Sequence, residues 1–234
     1  MALLDVSGYV LAGGKSSRMG RDKALLELAG KPLVFHAVSK LWRICEDVHI
    51  LSSRVELEAF APLVRDLHGE CGPLGGLEAA LEHSRHQWSL FMPVDMPFLP
   101  AAFLEDWVGA VIEEHDARVA MFTVNGVPQP LFCLLHDEIA PFVREAMRLG
   151  QYKVFPALEA AGIELAARRG AAVGRTFLNS VWEERAGSFA KAGENGALPS
   201  LTEGQRAAQH LWFANLNTPE EFAEAERHLD ALDT

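Results

Sequence analysis

The stretch that most constrains this chain runs from Tyr9 to Leu26, YVLAGGKSSRMGRDKALL. The apolar run Tyr9 to Leu11 stops abruptly at Ala12-Gly13-Gly14, and Lys15, Arg18, Arg21 and Lys23 then set four cations against the single carboxylate of Asp22. A short apolar run ending at paired glycines reads as a buried strand that opens into a loop. Residues without a Cβ leave their backbone N–H groups unobstructed, and such amides beside Lys and Arg side chains suit an anion such as a polyphosphate. The same residues also fit a surface turn with solvated charges. Two familiar phosphate motifs fail. Gly14-Lys15-Ser16 resembles the end of a G-x-x-x-x-G-K-[ST] loop, but its first glycine falls at Tyr9, and the G-x-G-x-x-G fingerprint fails because the glycines are adjacent.

Downstream the apolar period switches repeatedly between two and 3.6 residues. Leu33, Val34, Ala37, Val38 and Leu41 predict a helix over Pro32 to Ile44, with Pro near its first turn. Val48 to Leu51 reads as a strand, Val55 to Phe60 as a short helix and Leu63 to Arg65 as a strand ending at Asp66. Gly72 to Gly76 opens a helix, and Trp88 to Met92 is a strand that runs out at Val94-Asp95. This alternation predicts an α/β, three-layer α-β-α, Rossmann-like architecture around a mostly parallel sheet. Such sheets bind ligands outside the carboxyl ends of their strands, where the glycine loop, Asp66 and Asp95 all fall.

Beyond Pro100 the pattern gives a helix through Phe103, Trp107 and Val111, and a strand over Val119 to Val124. Asn125-Gly126 turns the chain into Leu131 to Leu135, an antiparallel element in the C-terminal half despite Pro128 and Pro130 near its start. Ala140 to Met147 and Val154 to Ala161 read as helices. Glu183 to Arg206, rich in Gly, Ala, Glu and Ser, has no clear period and is expected as a mobile excursion from one domain spanning 1–234. Thr218-Pro219-Glu220-Glu221 is a capping box for a last helix to about Leu229. With 49% hydrophobic residues a substantial core is available, and a net charge of −11 argues against nucleic-acid or anionic-membrane partners. The cysteines, Cys45, Cys71 and Cys133, are odd in number and widely spaced, so a disulfide framework is not indicated and a reduced cytoplasmic setting is expected. No apolar run approaches the roughly 20 residues of a membrane helix.

Several side chains carry possible chemistry. Prolines flanking Val94-Asp95-Met96 hold the Asp95 carboxylate just off a buried strand, suited either to Mg²⁺ or to capping the helix near Pro100. Asp66 fits a turn cap, and Asn215 and Asn217, which alternate onto one side of an extended segment, fit turn and cap roles. His83 and His86 lack a third ligand and are read as a solvated helix C-terminus.

The run LAGGKSSRMGRDKALL resembles the L-A-G-G-x-S-x-R-M-G-x-D-K-x-L loop of the molybdenum cofactor guanylyltransferases, within the wider nucleotidyltransferase superfamily. The resemblance continues through Gly30-Lys31-Pro32-Leu33, Gly72-Pro73-Leu74-Gly75-Gly76, Val94-Asp95-Met96-Pro97 and Asn215-Leu216-Asn217-Thr218-Pro219. It implies transfer of GMP from GTP to the terminal phosphate of molybdopterin. Leu11, Ala12, Gly13 and Gly14 with Arg18 and Lys23 would cradle the triphosphate, and Asp95 would hold Mg²⁺. Asp66 would accept from the paired N–H donors of guanine's Watson–Crick edge, donors that cytosine lacks. Asn215 and Asn217 would lie near the metal and the acceptor. Cofactor-biosynthesis proteins and recipient molybdoenzymes are the protein partners the resemblance implies. Transfer to another acceptor, cytidylyl transfer and a nucleotide-binding regulator remain as alternatives. Ser52-Ser53 departs from the family, which often has Asn after the second strand.

Overall fold

The structure, a computed structural model, describes residues 3–13, 22–68, 71–183, 188–190 and 201–233. In chain order the strands are β1 (Leu4–Leu11), β2 (Glu27–Leu28), β3 (Lys31–Pro32), β4 (Cys45–Leu51), β5 (Leu63–Val64), β6 (Trp88–Pro93), β7 (Val119–Val124), β8 (Val127–His136), β9 (Phe177–Glu183) and β10 (Ser188–Ala190). The α-helices are α1 (Leu33–Leu41), α2 (Pro73–His83), α3 (Ala101–Glu113), α4 (Ala140–Arg148), α5 (Val154–Arg169), α6 (Val173–Thr176), α7 (Glu203–Ala207) and α8 (Pro219–Ala225). Val55–Ala59, expected as an amphipathic helix, is a 3₁₀ segment.

Among the described residues, eight strands form one sheet in the order β10-β9-β7-β8-β6-β1-β4-β5, with β2 and β3 in a separate hairpin. β1 sits between β4 and β6 and is parallel to both, with Tyr9 opposite His49 on one side and Phe91 on the other. Of these eight, β8 and β10 oppose the common direction. Successive residues of a strand face opposite sides of the sheet. Val6 and Val10 accordingly enter a core with Leu33, Val34 and Leu41 of α1 and Phe103 and Trp107 of α3. Tyr9 enters a second core with Leu74 and Leu77 of α2, Val143 of α4 and Leu158 of α5. Two cores on two faces make the three layers. At Gly8 a Cβ would lie 3.0 Å from Cys45 Sγ and 3.3 Å from Leu41 Cβ, so the missing side chain lets α1 seat closely on β1.

The β7–β8 hairpin turns on Asn125 and Gly126, both at positive φ (48° and 77°), the conformation of a type I′ turn. Pro128 stays in register opposite Thr123, whereas Pro130 fits because the register slips: Phe122 pairs with Gln129 but Met121 with Cys133, leaving Pro130 in a bulge where no ladder N–H is needed.

The region expected as an excursion over 183–206 is structured at its ends. β10 pairs with β9, and α7 begins with a capping box between Thr202 and Gln205. Leu201 and Gln205 are buried; residues 184–187 and 191–200 lie outside the described residues. The C-terminal segment is welded to the sheet by aromatic rings: Trp182 stacks on Trp212 at 5.2 Å, and Phe213 lies 5.0 Å from Phe122.

A buried polar knot secures this segment. Lys40, 1% exposed, donates to the Pro97 carbonyl at 2.8 Å and lies 3.7 Å from Asp233 Oδ2. Asp233 also accepts from the Ala101 N–H at 2.9 Å, capping α3, and from Gln205 Nε2 at 3.0 Å. Burial depresses the Lys40 ammonium from its ordinary 10.5 to about 8, against the opposing pull of Asp233.

Asp233→Ala leaves that ammonium uncompensated and removes the α3 cap, so stability should fall by about 3 to 5 kcal/mol in denaturant titrations; a loss under about 1 kcal/mol would show that water replaces the carboxylate. Because the folded Lys40 sheds its proton before the unfolded one, the cost of burying its charge is fully present below the folded value and relieved as pH rises. The stability of the wild type relative to Lys40→Met should therefore increase between about pH 8 and 10.5.

Candidate active site at the carboxyl edge of the sheet

β1, β4, β5 and β6 are parallel neighbours, so Leu11, Leu51, Val64 and Pro93 end on one edge. Backbone bonds carry the pairing one step further: Val94 N–H donates to Leu11 O at 3.1 Å, Ala12 N–H to Leu51 O at 3.3 Å, and Ser52 N–H to Val64 O at 3.2 Å. The loops leaving these strands therefore start from fixed positions.

Lys23 opens a 3₁₀ turn, Lys23–Leu25, capped by Asp22 Oδ1, which accepts from Ala24 N–H at 2.9 Å. Its ammonium donates to the Asp95 carboxylate in a short contact and to Asn217 Oδ1 at 2.5 Å. Side chains of Lys23 and Asp95 are only 18% and 15% exposed, so the pair is partly withdrawn from water. Asp95 is not the cap of α3, because Asp233 takes that role. Its own carbonyl accepts from Leu216 N–H at 3.0 Å, and burial of Leu216 turns Asn217 outward to Lys23. Asn217 Nδ2 donates to the Asn215 carbonyl at 3.2 Å, so Asn215 enters this arrangement through its backbone. Glu221 Oε2 receives the Asn217 and Thr218 amides, and Thr218 Oγ1 receives the Glu221 amide, fixing the loop to α8.

Asp66 stands elsewhere on the edge, against the first turn of α2. It is exposed, and its Oδ1 accepts the His68 N–H at 2.9 Å, the turn contact anticipated for an aspartate at a strand end. Gly75 makes this approach feasible, since a Cβ there would lie 2.6 Å from both Asp66 oxygens. Leu11, Ala12 and Gly13 lead from β1 onto the edge; Gly14 and Arg18 lie outside the described residues.

Arg54 went unnoticed in the sequence. It follows Ser52-Ser53 directly, where Ser52 Oγ accepts the Arg54 amide at 3.2 Å. The guanidinium donates through Nη2 to the Ala12 carbonyl at 2.5 Å, and its Nη1 forms an ion pair with the Asp22 carboxylate. One side chain thereby ties both stems of the glycine loop, the one leaving β1 and the one entering the Lys23 turn. The only local signal was a cation just past a strand end. At the other end of α2, His83 closes the last turn and is exposed, the solvated helix terminus expected of it; partial burial, then His49, lowers its pKa, favouring the neutral ring that sits 3.3 Å from the Tyr9 hydroxyl.

Residues 8–166, about two thirds of the chain, match the model of the MobA-like NTP transferase domain. The chain belongs to this family. The matched stretch of this MobA-like domain contains Lys23, Arg54, Asp66 and Asp95, whereas Asn217 comes from the segment beyond it. The molybdenum cofactor guanylyltransferase of Serratia proteamaculans is 33% identical over 165 residues, 68% of this chain and 81% of its own. That of Pseudomonas aeruginosa is 38% identical over 175 residues, 71% and 87% of the two chains. The crystal structure of molybdopterin-guanine dinucleotide biosynthesis protein A from Archaeoglobus fulgidus, 20% identical, aligns over 94% of this chain and 97% of its own with a TM-score of 0.65, and shares the fold.

Arg54→Met in the MobA-like domain keeps much of the aliphatic stem but deletes the hydrogen bond to Ala12 and the ion pair with Asp22. Stability should fall by about 1 to 2 kcal/mol, since the side chain is 28% exposed and the bonds are partly screened. Amide exchange at Ala24 and Ala12 should accelerate; unchanged exchange there would show that the stems hold without Arg54.

Proposed function

We propose that this MobA-like domain transfers GMP from GTP to the terminal phosphate of molybdopterin. The observation that carries the proposal is the convergence of Lys23, Asp95 and Asn217 beside the glycine loop, in a chain whose relatives are named for guanylyl transfer. An oxygen of the acceptor phosphate attacks the α-phosphorus of GTP, the bond from the α-phosphorus to the bridging oxygen breaks, and pyrophosphate leaves with that oxygen and its electron pair. The acceptor oxygen is already anionic, so this displacement needs no protein nucleophile.

Each side chain then has a task its position supports. The Gly13 amide and the Lys23 ammonium neutralise the polyphosphate, Lys23 exchanging Asp95 and Asn217 for phosphate oxygens. Asp66 offers two in-plane acceptors to the N1–H and N2–H₂ donors of guanine, which favours a purine with paired donors over cytosine. Arg54 orders the loop stems without touching the nucleotide. Asn217 contributes an amide oxygen next to the acceptor side.

The donor set also fits Mg²⁺. Asp95 and Asn217 present only oxygens, and both already face one cation, the Lys23 ammonium. Magnesium favours one or two protein oxygens completed by phosphate and water, and when bound it supplies charge stabilisation at the α-phosphate. Asp95 would be its principal protein ligand.

Two substitutions test the assignment. Lys23→Ala should weaken GTP affinity by about tenfold or more, the worth of a charge-assisted hydrogen bond, and slow turnover as well; unchanged affinity and turnover would remove Lys23 from the site. Asp95→Asn keeps shape and one oxygen acceptor but removes the charge. It should fold normally and lower pyrophosphate release from GTP and molybdopterin by about 100-fold or more, with a much smaller change in calorimetric GTP affinity. Normal release by the folded variant would sink the role given to Asp95.

A further inference from the structure

A second cluster of metal-ligating groups lies in the C-terminal segment, beyond the matched 8–166. His210, Glu224 and His228 place one ligand atom each within 4.8 Å of one another. Glu224 and His228 are spaced i, i+4 with Oε1 and Nε2 3.1 Å apart, and the ring of His210 meets that of His228 edge-on at 5.3 Å. The backbone at His228 leaves helical geometry (φ −125°, ψ 29°). Glu224 Oε2 is taken by Arg227, which leaves Oε1 facing the histidines.

We propose that His210, Glu224 and His228 form a site for a divalent transition-metal ion of the Zn²⁺ class. Two imidazole nitrogens and one carboxylate oxygen are a donor set that such ions favour. Ligands about 2.0 to 2.2 Å from a tetrahedral ion stand roughly 3.3 to 3.6 Å apart, so Glu224 and His228, hydrogen-bonded at 3.1 Å, need open only slightly to admit one. Only His210 has to close, and it is exposed and so unhindered by packing. The site is unlike the one at Asp95, which offers oxygens alone and suits a harder ion.

Its place in the chain gives it a use. His210 precedes and Glu224 follows the loop containing Leu216 and Asn217. An ion shared by the three residues closes that loop into a ring and reduces the conformational freedom of the segment that delivers Asn217 to Lys23. Arg227 acts as an outer partner that orients the Glu224 carboxylate while lowering affinity through its charge. The consequence for Asn217 rests on the functional reading above; the metal site does not.

The test uses the full chain, stripped with chelator and titrated with Co²⁺, whose visible ligand-field absorption reports nitrogen ligation without reference to GTP. One Co²⁺ per chain should produce the band, Zn²⁺ should displace it, and Zn²⁺ should raise the melting temperature. His210→Ala and His228→Ala should each weaken Co²⁺ binding by about 10- to 100-fold or more, whereas His115→Ala, which alters an exposed histidine elsewhere, should leave it intact. His210→Gln, checked by circular dichroism, guards against misfolding of the alanine variant. A band unchanged in folded His210 and His228 variants, or no band at all, overturns the proposal, whether or not guanylyl transfer is found.

Discussion

Parallel pairing of β1 with both of its neighbours is the constraint on which the rest of the molecule depends. Parallel strands need crossover connections, and here the crossovers are helices that cover both faces of the sheet. The strand ends then gather on one edge, and the backbone bonds from Val94, Ala12 and Ser52 fix the first residue of each emerging loop. Loop side chains separated by many tens of residues in sequence can be brought together only where their stems are held this closely.

On that edge the electrostatics are set by who else occupies the neighbouring roles. Asp95 is available to Lys23 because the N-terminus of α3 is capped by Asp233. Lys23 in turn joins Asp95 to Asn217, so a single ammonium bridges two segments, reaching 72 residues along the chain to one and 194 to the other. In the proposed function an aspartate paired with a lysine beside an amide oxygen is a set of groups suited to exchange: phosphate would take the cation, and the vacated oxygens would suit a hard metal ion. Arg54 performs the complementary task at the loop stems, where it bonds a carbonyl and a carboxylate that are far apart in the chain but adjacent in space.

The C-terminal segment contributes to packing and to the site at once. Trp212 and Phe213 join the core through Trp182 and Phe122, while Leu216 and Asn217 reach Asp95 and Lys23. Lys40 holds the carbonyl of Pro97, two residues past Asp95, and faces the carboxylate of Asp233. Breaking that buried pair would disturb a helix cap and the Asp95 loop together.

The features legible in the sequence are those encoded by neighbouring residues. The strand-to-glycine break at Tyr9–Gly13, the 3.6-residue period of α1, the Asn125-Gly126 turn and the Thr218–Glu221 capping box each involve groups a few positions apart, so pattern and geometry coincide. The α/β rhythm likewise implied the sheet and its binding edge. Tertiary structure alone decided the rest. β9 escaped notice because its half-exposed side chains alternate weakly and its place depends on pairing with β7. α7 is five residues long and gains its stability from buried Gln205 and its bond to Asp233 rather than from an apolar period. The cap of α3 comes from 132 residues away, the loop strap from Arg54, and the cation between Asp95 and Asn217 from Lys23. Local patterns specify which element a segment forms, but the partner of a charged side chain is chosen by topology, which brings distant stems within hydrogen-bond reach only once the sheet has assembled.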